Sequence, residues 1–210
     1  PAFITTLAAL IAFRGLALSF NNGSPIFSLD PALEPLFYGS LLGLPLPLFY
    51  LIVFYGLAAY AMNYTRLGRE IYAVGGNPSA AKLSGINVKR VMAATFVIAG
   101  VMTAVAAILM SARLNSGSPN YGQTLELQAI AAAVVGGASL AGGRGNVLCT
   151  LIGSLTIVIV QNGLNLNAVS SSAQNIVLGL IILAAVGIDM WRRELSGGLS
   201  HLVSFRKREA

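Results

Sequence analysis

Apolar runs close to the length of a membrane-spanning helix dominate this sequence of 210 residues. About 20 apolar residues in a helix cross the hydrocarbon core of a bilayer, which is about 30 Å thick. Charged residues make up only 10% of the chain, whereas soluble domains carry about 25%. We therefore interpret the chain as an integral membrane protein with an all-α fold, a polytopic transmembrane helical bundle. Six runs are predicted spans: residues 2–20, 41–62, 91–110, 126–141, 146–163 and 173–190.

The fourth and fifth runs are short and meet at the glycine-rich stretch VVGGASLAGGRGN, residues 134–146. Non-helical backbone is tolerated at membrane depth where protein surrounds it. We therefore expect these two segments to be half-length or re-entrant. The glycines indicate close backbone approaches between helices, or hinges.

Basic residues are concentrated in three of the connecting segments, residues 63–90, 142–146 and the C-terminal tail. With six crossings these segments share one side of the membrane, which the positive-inside rule makes the cytoplasm. We therefore predict a transmembrane domain over residues 1–191 with a cytoplasmic loop at 63–90, and a basic cytoplasmic tail over 192–210. The basic residues are Arg66, Arg69, Lys82, Lys89 and Arg90, then Arg144, and Arg192, Arg193, Arg206, Lys207 and Arg208 in the tail.

Three further features narrow the class of protein. The chain opens at Pro1 inside an apolar run with no charged region before it, so we expect earlier helices to be missing from its natural N-terminus. The single Cys149 excludes an internal disulfide, and the single His201 excludes a histidine-rich metal site. The net charge of +6 comes from basic residues beside the predicted spans, and such residues indicate the orientation of the chain in the membrane. We therefore expect no nucleic-acid partner, and we also expect no metal.

The loop stretch NPSAAKLSG encodes a short capped helix. Gly75 and Gly76 before it permit a sharp turn, Asn77 is a good N-cap and Pro78 suits the first helical position. Gly85 is placed to end the helix as its C′ residue. Its apolar face is predicted to comprise Ala80, Ala81 and Leu83. A helix of two turns is marginal in water, so it must pack on the chain's own spans or dock on another protein; both alternatives are open.

The glycine-rich stretches do not match the motifs that bind nucleotides. Gly137 and Gly142 have the spacing of a phosphate-binding loop, but Gly143 and Arg144 follow where Lys and Ser or Thr are required. The sequence contains no nucleophile–base pair and no cluster of metal ligands. We therefore predict that the chain is not an enzyme, has no catalytic residues and needs no cofactor.

Five polar residues are candidates for a translocation path. Arg14 lies within the first span, where an ionisable group is costly, and an ion pair with Glu126 or with an acid on a missing helix is favoured over contact with a solute. Glu126 also suits the positive end of a helix dipole. Gln161, Asn162 and Asn165 lie at the outer turn between spans five and six; amides donate and accept hydrogen bonds, as an uncharged hydroxylated solute requires. The alternative is a solvated outer loop.

Three ordered motifs, GREIYAVGGNPSAAKLSGINVKRV, ELQAIAAAVVGGASLAGGRGNV and QNGLNLNAVSS, resemble the ribose-type permease subunits of bacterial ABC sugar importers. The resemblance covers nearly the whole chain. It implies an inner-membrane permease with a second permease subunit, as a homodimer or heterodimer, a cytoplasmic ATP-binding subunit and a periplasmic sugar-binding protein. It also implies that the segment Asn77–Gly85, including Ser84, is the coupling helix that docks on the ATPase. Family members often have an acid where this chain has Gln128.

We therefore expect the permease of an ATP-driven importer, with ribose or a similar monosaccharide as solute and with ATP bound by the partner. The alternatives are a secondary transporter driven by an ion gradient, or an ABC permease for a nucleoside, an autoinducer or a branched-chain amino acid. A secondary transporter requires buried acids for its coupling ion, and the spans contain almost none.

Overall fold

A computed structural model describes the backbone of residues 2–27 and 33–206 and the side chains of residues 4–27 and 33–188. Helices dominate these parts of the chain, and each strand within them has two residues. The helices are α1 (Ala2–Phe20), α2 (Glu34–Tyr38), α3 (Leu46–Tyr64), α4 (Arg66–Gly76), α5 (Pro78–Leu83), α6 (Val88–Leu114), α7 (Leu125–Val135), α8 (Val147–Leu166) and α9 (Ser171–Arg206). The strands are β1 (Ile26–Phe27), β2 (Ser40–Leu41), β3 (Leu44–Pro45) and β4 (Ser116–Gly117).

Four helices in the described part are long and apolar enough to cross a membrane: α3, α6, α8 and α9 up to Ile188. The prediction of a polytopic helical membrane protein is thereby confirmed. Helix α1 has 19 residues, of which Ile4–Phe20 are described with their side chains and form an apolar helix, and the whole of α7 is shorter. The 11 residues of α7 rise roughly 16 Å at 1.5 Å per residue, about half of the hydrocarbon core.

The expectation of a half-length segment is therefore confirmed for the fourth run and wrong for the fifth. Helix α8 has 20 residues and ends at Leu166, because it continues through Asn165, where the sequence suggested a polar turn. Helix α6 also exceeds its predicted length, with 27 residues. Helix α9 continues past residue 192 without a break, and the basic residues from Lys207 onwards lie outside the described residues.

The chain divides into two compact units. The first comprises Pro1–Phe54 with Ala94–Gln123. In it β1 pairs antiparallel with β4, and the Tyr38 hydroxyl donates a 2.9 Å hydrogen bond to the Arg113 carbonyl. The Arg113 guanidinium also lies 5.7 Å from the centre of the Phe37 ring. These contacts join the connection of residues 21–40, which has no Lys or Arg, to that of residues 111–125, which has only Arg113.

The second unit comprises Tyr55–Ala93 with Thr124–Ala210. Its main buried cluster joins three helices, with Ala131 and Ala132 of α7, Ile157 of α8 and Leu178 of α9. Helix α7 is therefore packed against both α8 and α9, although it is too short to span a bilayer itself. Small residues allow this close packing without a driving force from water.

Two glycines set the distance between α7 and α8. A Cβ atom added to Gly136 would lie 2.5 Å from the Cys149 carbonyl oxygen, and one added to Gly153 would overlap the Ala132 carbonyl oxygen. Any larger side chain at either position would force the two helices apart. These contacts confirm that glycines of the 134–146 stretch mediate close backbone approach.

Candidate functional site

Helix α4 begins the segment that is predicted to be cytoplasmic, and its start has a local hydrogen-bond network. The Thr65 hydroxyl accepts from the Gly68 amide at 3.3 Å and donates to the Ala61 carbonyl at 2.6 Å. This N-cap joins α3 to α4 and satisfies one of the free amides at a helix start. Arg66 forms a salt bridge of 2.7 Å with Glu70 one turn later, on an exposed surface where such a pair contributes little stability.

Helix α5 begins as the sequence predicts. The Asn77 side-chain oxygen accepts a hydrogen bond from the Ala80 amide at 3.0 Å, and Pro78 occupies the first helical position. Proline suits that position because its missing N–H would have no partner there. The predicted N-cap is therefore confirmed.

The end of α5 is a Schellman motif. The Gly85 amide donates to the Lys82 carbonyl at 3.1 Å, and the Ile86 amide donates to the Ala81 carbonyl at 3.0 Å. Gly85 has φ of +82°, the left-handed conformation that glycine adopts without a steric penalty. The predicted C′ glycine is confirmed, and both ends of this six-residue helix are fixed by local sequence.

The predicted apolar face of α5 is wrong in part. Ala81 is buried in a cluster with Val74 of α4 and Val91 of α6, whereas Ala80 and Leu83 are exposed. Residues two apart on a helix are separated by about 200°, because each residue turns it by about 100°. Ala81 therefore holds α5 to its own chain, and Leu83 on the opposite side is available to another molecule.

A second surface of α5 borders an open depression of about 620 Å³. The exposed side chains of Lys82 and Lys89 lie at this depression, so it is basic. Its lining is Pro78, Ser79, Lys82, Gly85, Ile86, Asn87, Val88 and Lys89. The exposed part of α5, which we call the docking surface, thus comprises Ala80, Leu83 and Ser84 together with this basic depression.

Helix α4 also contacts the glycine-rich loop of residues 136–146, which connects α7 to α8. The Tyr72 hydroxyl donates a 2.9 Å hydrogen bond to the Gly145 carbonyl. Gly75 and Gly76 are the last residues of α4, so the predicted sharp turn is wrong at these positions; instead they meet the backbone of Gly142 and Gly143. This contact joins two of the three basic segments, and sequence reasoning missed it, although paired glycines on both sides were the available signal.

The amide candidates on α8 separate into two groups. Gln161 is half-buried and lines a narrow crevice beside Gln174 of α9. The Gln174 amide donates hydrogen bonds of 2.8 Å to Asn165 and to the Val169 carbonyl. Asn162 is exposed and points away, about 100° around the helix from Gln161. The structure therefore brings Gln161, Asn165 and Gln174 together and leaves Asn162 apart.

The two charged candidates lie in different units. Arg14 is half-buried on α1 in the first unit, and Glu126 is exposed in the first turn of α7 in the second. The position of Glu126 is the one that a helix dipole favours for an acid. An ion pair between Arg14 and Glu126 stays a prediction.

Comparison with known sequences gives one family and several related proteins. The family described as "Branched-chain amino acid transport system / permease component" matches residues 1–186. The ribose import permease of Escherichia coli K12 is 44% identical over 192 residues, covering 90% of this chain and 60% of that protein. The D-allose transport system permease of the same organism is 36% identical over 89% of this chain and 57% of its own length.

A xylose transport system permease of Haemophilus influenzae is 48% identical over 147 residues, or 70% of this chain and 39% of the relative. The chain spans 60% of the length of the ribose permease that it matches. No solved structure matches the chain.

Proposed function

The chain belongs to the family of branched-chain amino acid transport system permease components, and we propose that it forms part of the membrane subunit of an ATP-driven sugar importer. The observation that carries this proposal is the 44% identity to a ribose import permease over 90% of the chain. The described helices also supply what such a subunit needs: membrane-spanning helices and a folded segment outside them.

The proposed solute is ribose or a similar monosaccharide. Relatives named for ribose, allose and xylose transport support a sugar over other solutes. The cluster of Gln161, Asn165 and Gln174 contributes uncharged donors and acceptors, which suit hydroxyl groups. In this proposal the translocation path runs beside these amides.

The proposed coupling element is α5, docking on a separate ATP-binding subunit through Leu83 and the surrounding docking surface. Ala81 fixes the helix to α4 and α6, so α5 presents Leu83 in one orientation before any partner binds. Preorganisation of this kind lowers the entropic cost of association. The two alternatives for this helix are thus complementary, with one side packed on its own chain and the other side free for a partner.

We place residues 63–90 and the C-terminus in the cytoplasm of a bacterium, with the chain in the inner membrane, because basic segments favour that side. The partners are the ATP-binding subunit, a periplasmic sugar-binding protein and a second permease subunit. ATP is bound and hydrolysed by the partner, and this chain contributes no catalytic group.

A branched-chain amino acid is the second candidate solute, since the family description names it. Uptake of radiolabelled ribose and radiolabelled leucine by cells that express the complete transporter separates the two. We expect ribose uptake that stops on ATP depletion. Leucine uptake without ribose uptake would overturn the sugar assignment, and ribose uptake that survives ATP depletion but collapses with an uncoupler would favour a secondary transporter.

A further inference from the structure

We propose that Gly75 of α4 and Gly143 of the loop before α8 are positioning residues for coupling, because their contact passes a displacement of α5 to α7 and α8. This inference rests on the proposed function, since it assumes that α5 docks on an ATPase. The contact lies where α4, which carries α5, meets the loop that leads into α8. We call this place the glycine junction, formed by Gly75, Gly142 and Gly143.

Backbone meets backbone at the glycine junction. A Cβ atom added to Gly75 would lie 2.7 Å from the Gly143 nitrogen, and one added to Gly142 would lie 2.5 Å from the Gly75 oxygen. A Cβ atom added to Gly143 would lie 2.5 Å from the Gly76 Cα. Such distances leave no space for a side chain at these positions, so a shift of α4 displaces the loop directly.

On the docking side, α5 and α4 behave as one packed element. Ala81 of α5 is buried against Val74, the residue next to Gly75, and against Val91 of α6. Close-packed side chains transmit displacement because they leave few voids to absorb it. A force on the exposed Leu83 side of α5 therefore reaches the glycine junction through this buried cluster.

On the membrane side, the loop is held by its own hydrogen bonds. The Ser139 amide donates to the Arg144 carbonyl at 3.0 Å, and the Asn146 side chain caps α8 by accepting from the Leu148 amide at 2.9 Å. The Gly145 carbonyl accepts from Tyr72. The loop thus joins the junction to the start of α8, which packs on α7 through Gly136 and Gly153.

Gly75 and Gly76 form a matched pair for testing this idea. Both end α4, where alanine would be the better helix former by about 1 kcal/mol. A Cβ atom on Gly76 would meet only the Gly143 Cα, at 3.8 Å, an ordinary contact. Gly75→Ala inserts a methyl group into the junction, and Gly76→Ala does not.

The experiment uses the complete permease with its ATP-binding subunit and sugar-binding protein in proteoliposomes. For wild type, Gly75→Ala and Gly76→Ala we would measure retention of the ATP-binding subunit, basal ATP hydrolysis, its stimulation by ribose-loaded binding protein, and ribose uptake. We expect Gly75→Ala to retain the ATP-binding subunit and basal hydrolysis but to lose stimulation and uptake by about tenfold or more, since overpacking displaces the backbone. Gly76→Ala should match wild type.

Tyr72→Phe provides a second variant that adds no volume. It removes the hydrogen bond to the Gly145 carbonyl, so we expect a smaller loss of stimulation, by a factor of about five. Normal stimulation in both Gly75→Ala and Tyr72→Phe would overturn the inference. That result would leave the proposed function intact, which fails instead if the wild-type permease retains no ATP-binding subunit or takes up no ribose.

Discussion

Ala81 and Leu83 are two residues apart on α5, yet Ala81 is 4% exposed and Leu83 is 91% exposed. The short helix α5 therefore has an anchored side, which packs on the rest of the chain, and a free side, which is exposed. The anchored side packs on α4 and α6, and the free side carries a large apolar residue outside the membrane spans. An exposed leucine alone is common on protein surfaces; what distinguishes Leu83 is the helix on which it is held, capped at both ends and packed on its inner side.

Substitution of Ala81 tests the anchored side. Ala81→Leu adds three carbon atoms to a buried cluster and should lower the free energy of unfolding by about 1–3 kcal/mol. Ala80→Leu makes the same change at an exposed neighbour and should alter it by less than about 0.5 kcal/mol. Thermal unfolding of the purified permeases in detergent measures both. Equal midpoints for the two variants would contradict the packing of α5.

Substitution of Asn77 tests the N-cap. Asn77→Ala removes the acceptor for the Ala80 amide and should destabilise α5 by about 1 kcal/mol. Hydrogen exchange of residues 79–84 would then be about fivefold faster. Asn77→Asp keeps an acceptor at the cap and should exchange like wild type. Protection that is unchanged in Asn77→Ala would show that the cap does not stabilise this helix.

Local rules account for the ends of α5, since Asn77, Pro78 and Gly85 act through bonds within a few residues of themselves. The orientation of α5 could also have been predicted, because helical periodicity separates Ala81 from Leu83. The full length of α8 was missed for a different reason. Asn165 has weak helix propensity, and tertiary packing of α8 on α7 and α9 outweighs it.

The sequence could predict that glycines allow close backbone contacts, but it could not predict which residues those contacts join. Paired glycines indicate that some backbone approaches closely, but they do not name the partner, which is far away in sequence. Gly75 meets Gly143, and Gly153 meets Ala132. Only the packing of the whole unit sets these pairs. The same applies to the half-buried Gln161, whose neighbour Gln174 is on another helix.

The contact between α7 and α8 gives a third prediction. Gly153→Ala would place a methyl group against the Ala132 carbonyl and 2.7 Å from the Gly136 nitrogen, which should cost about 1–3 kcal/mol. Gly163→Ala is the matched control on the same helix, since no atom beyond its chain neighbours and the adjacent turns of its own helix backbone lies within 4 Å of its added Cβ. The yield of monodisperse permease and its unfolding midpoint should fall for Gly153→Ala only. A comparable fall in both variants would contradict the close approach of the two helices.

The amide cluster gives a fourth prediction. Gln161→Leu keeps most of the side-chain volume but removes a donor and an acceptor beside Gln174, so the half-saturation concentration for ribose uptake should rise by about two- to tenfold, as for one lost hydrogen bond. Asn162→Leu should have a smaller effect, because Asn162 is on another side of α8. The measurement is uptake as a function of ribose concentration. A larger effect for Asn162→Leu would contradict this prediction and indicate that the translocation path lies on the Asn162 side of α8.

The most direct test of the central claim is co-purification of the candidate ATP-binding subunit with the complete tagged permease. Leu83→Asp places a charge on the docking surface, and Leu42→Asp makes the same change at an equally exposed leucine (91%) in the turn between β2 and β3. Wild type and Leu42→Asp should retain the ATPase, and Leu83→Asp should bind it about thirtyfold more weakly, as loss of a hot-spot contact of about 2 kcal/mol implies. Equal retention by Leu83→Asp and Leu42→Asp, or no retention by wild type, would contradict the assignment of α5 as the element that couples this permease to ATP.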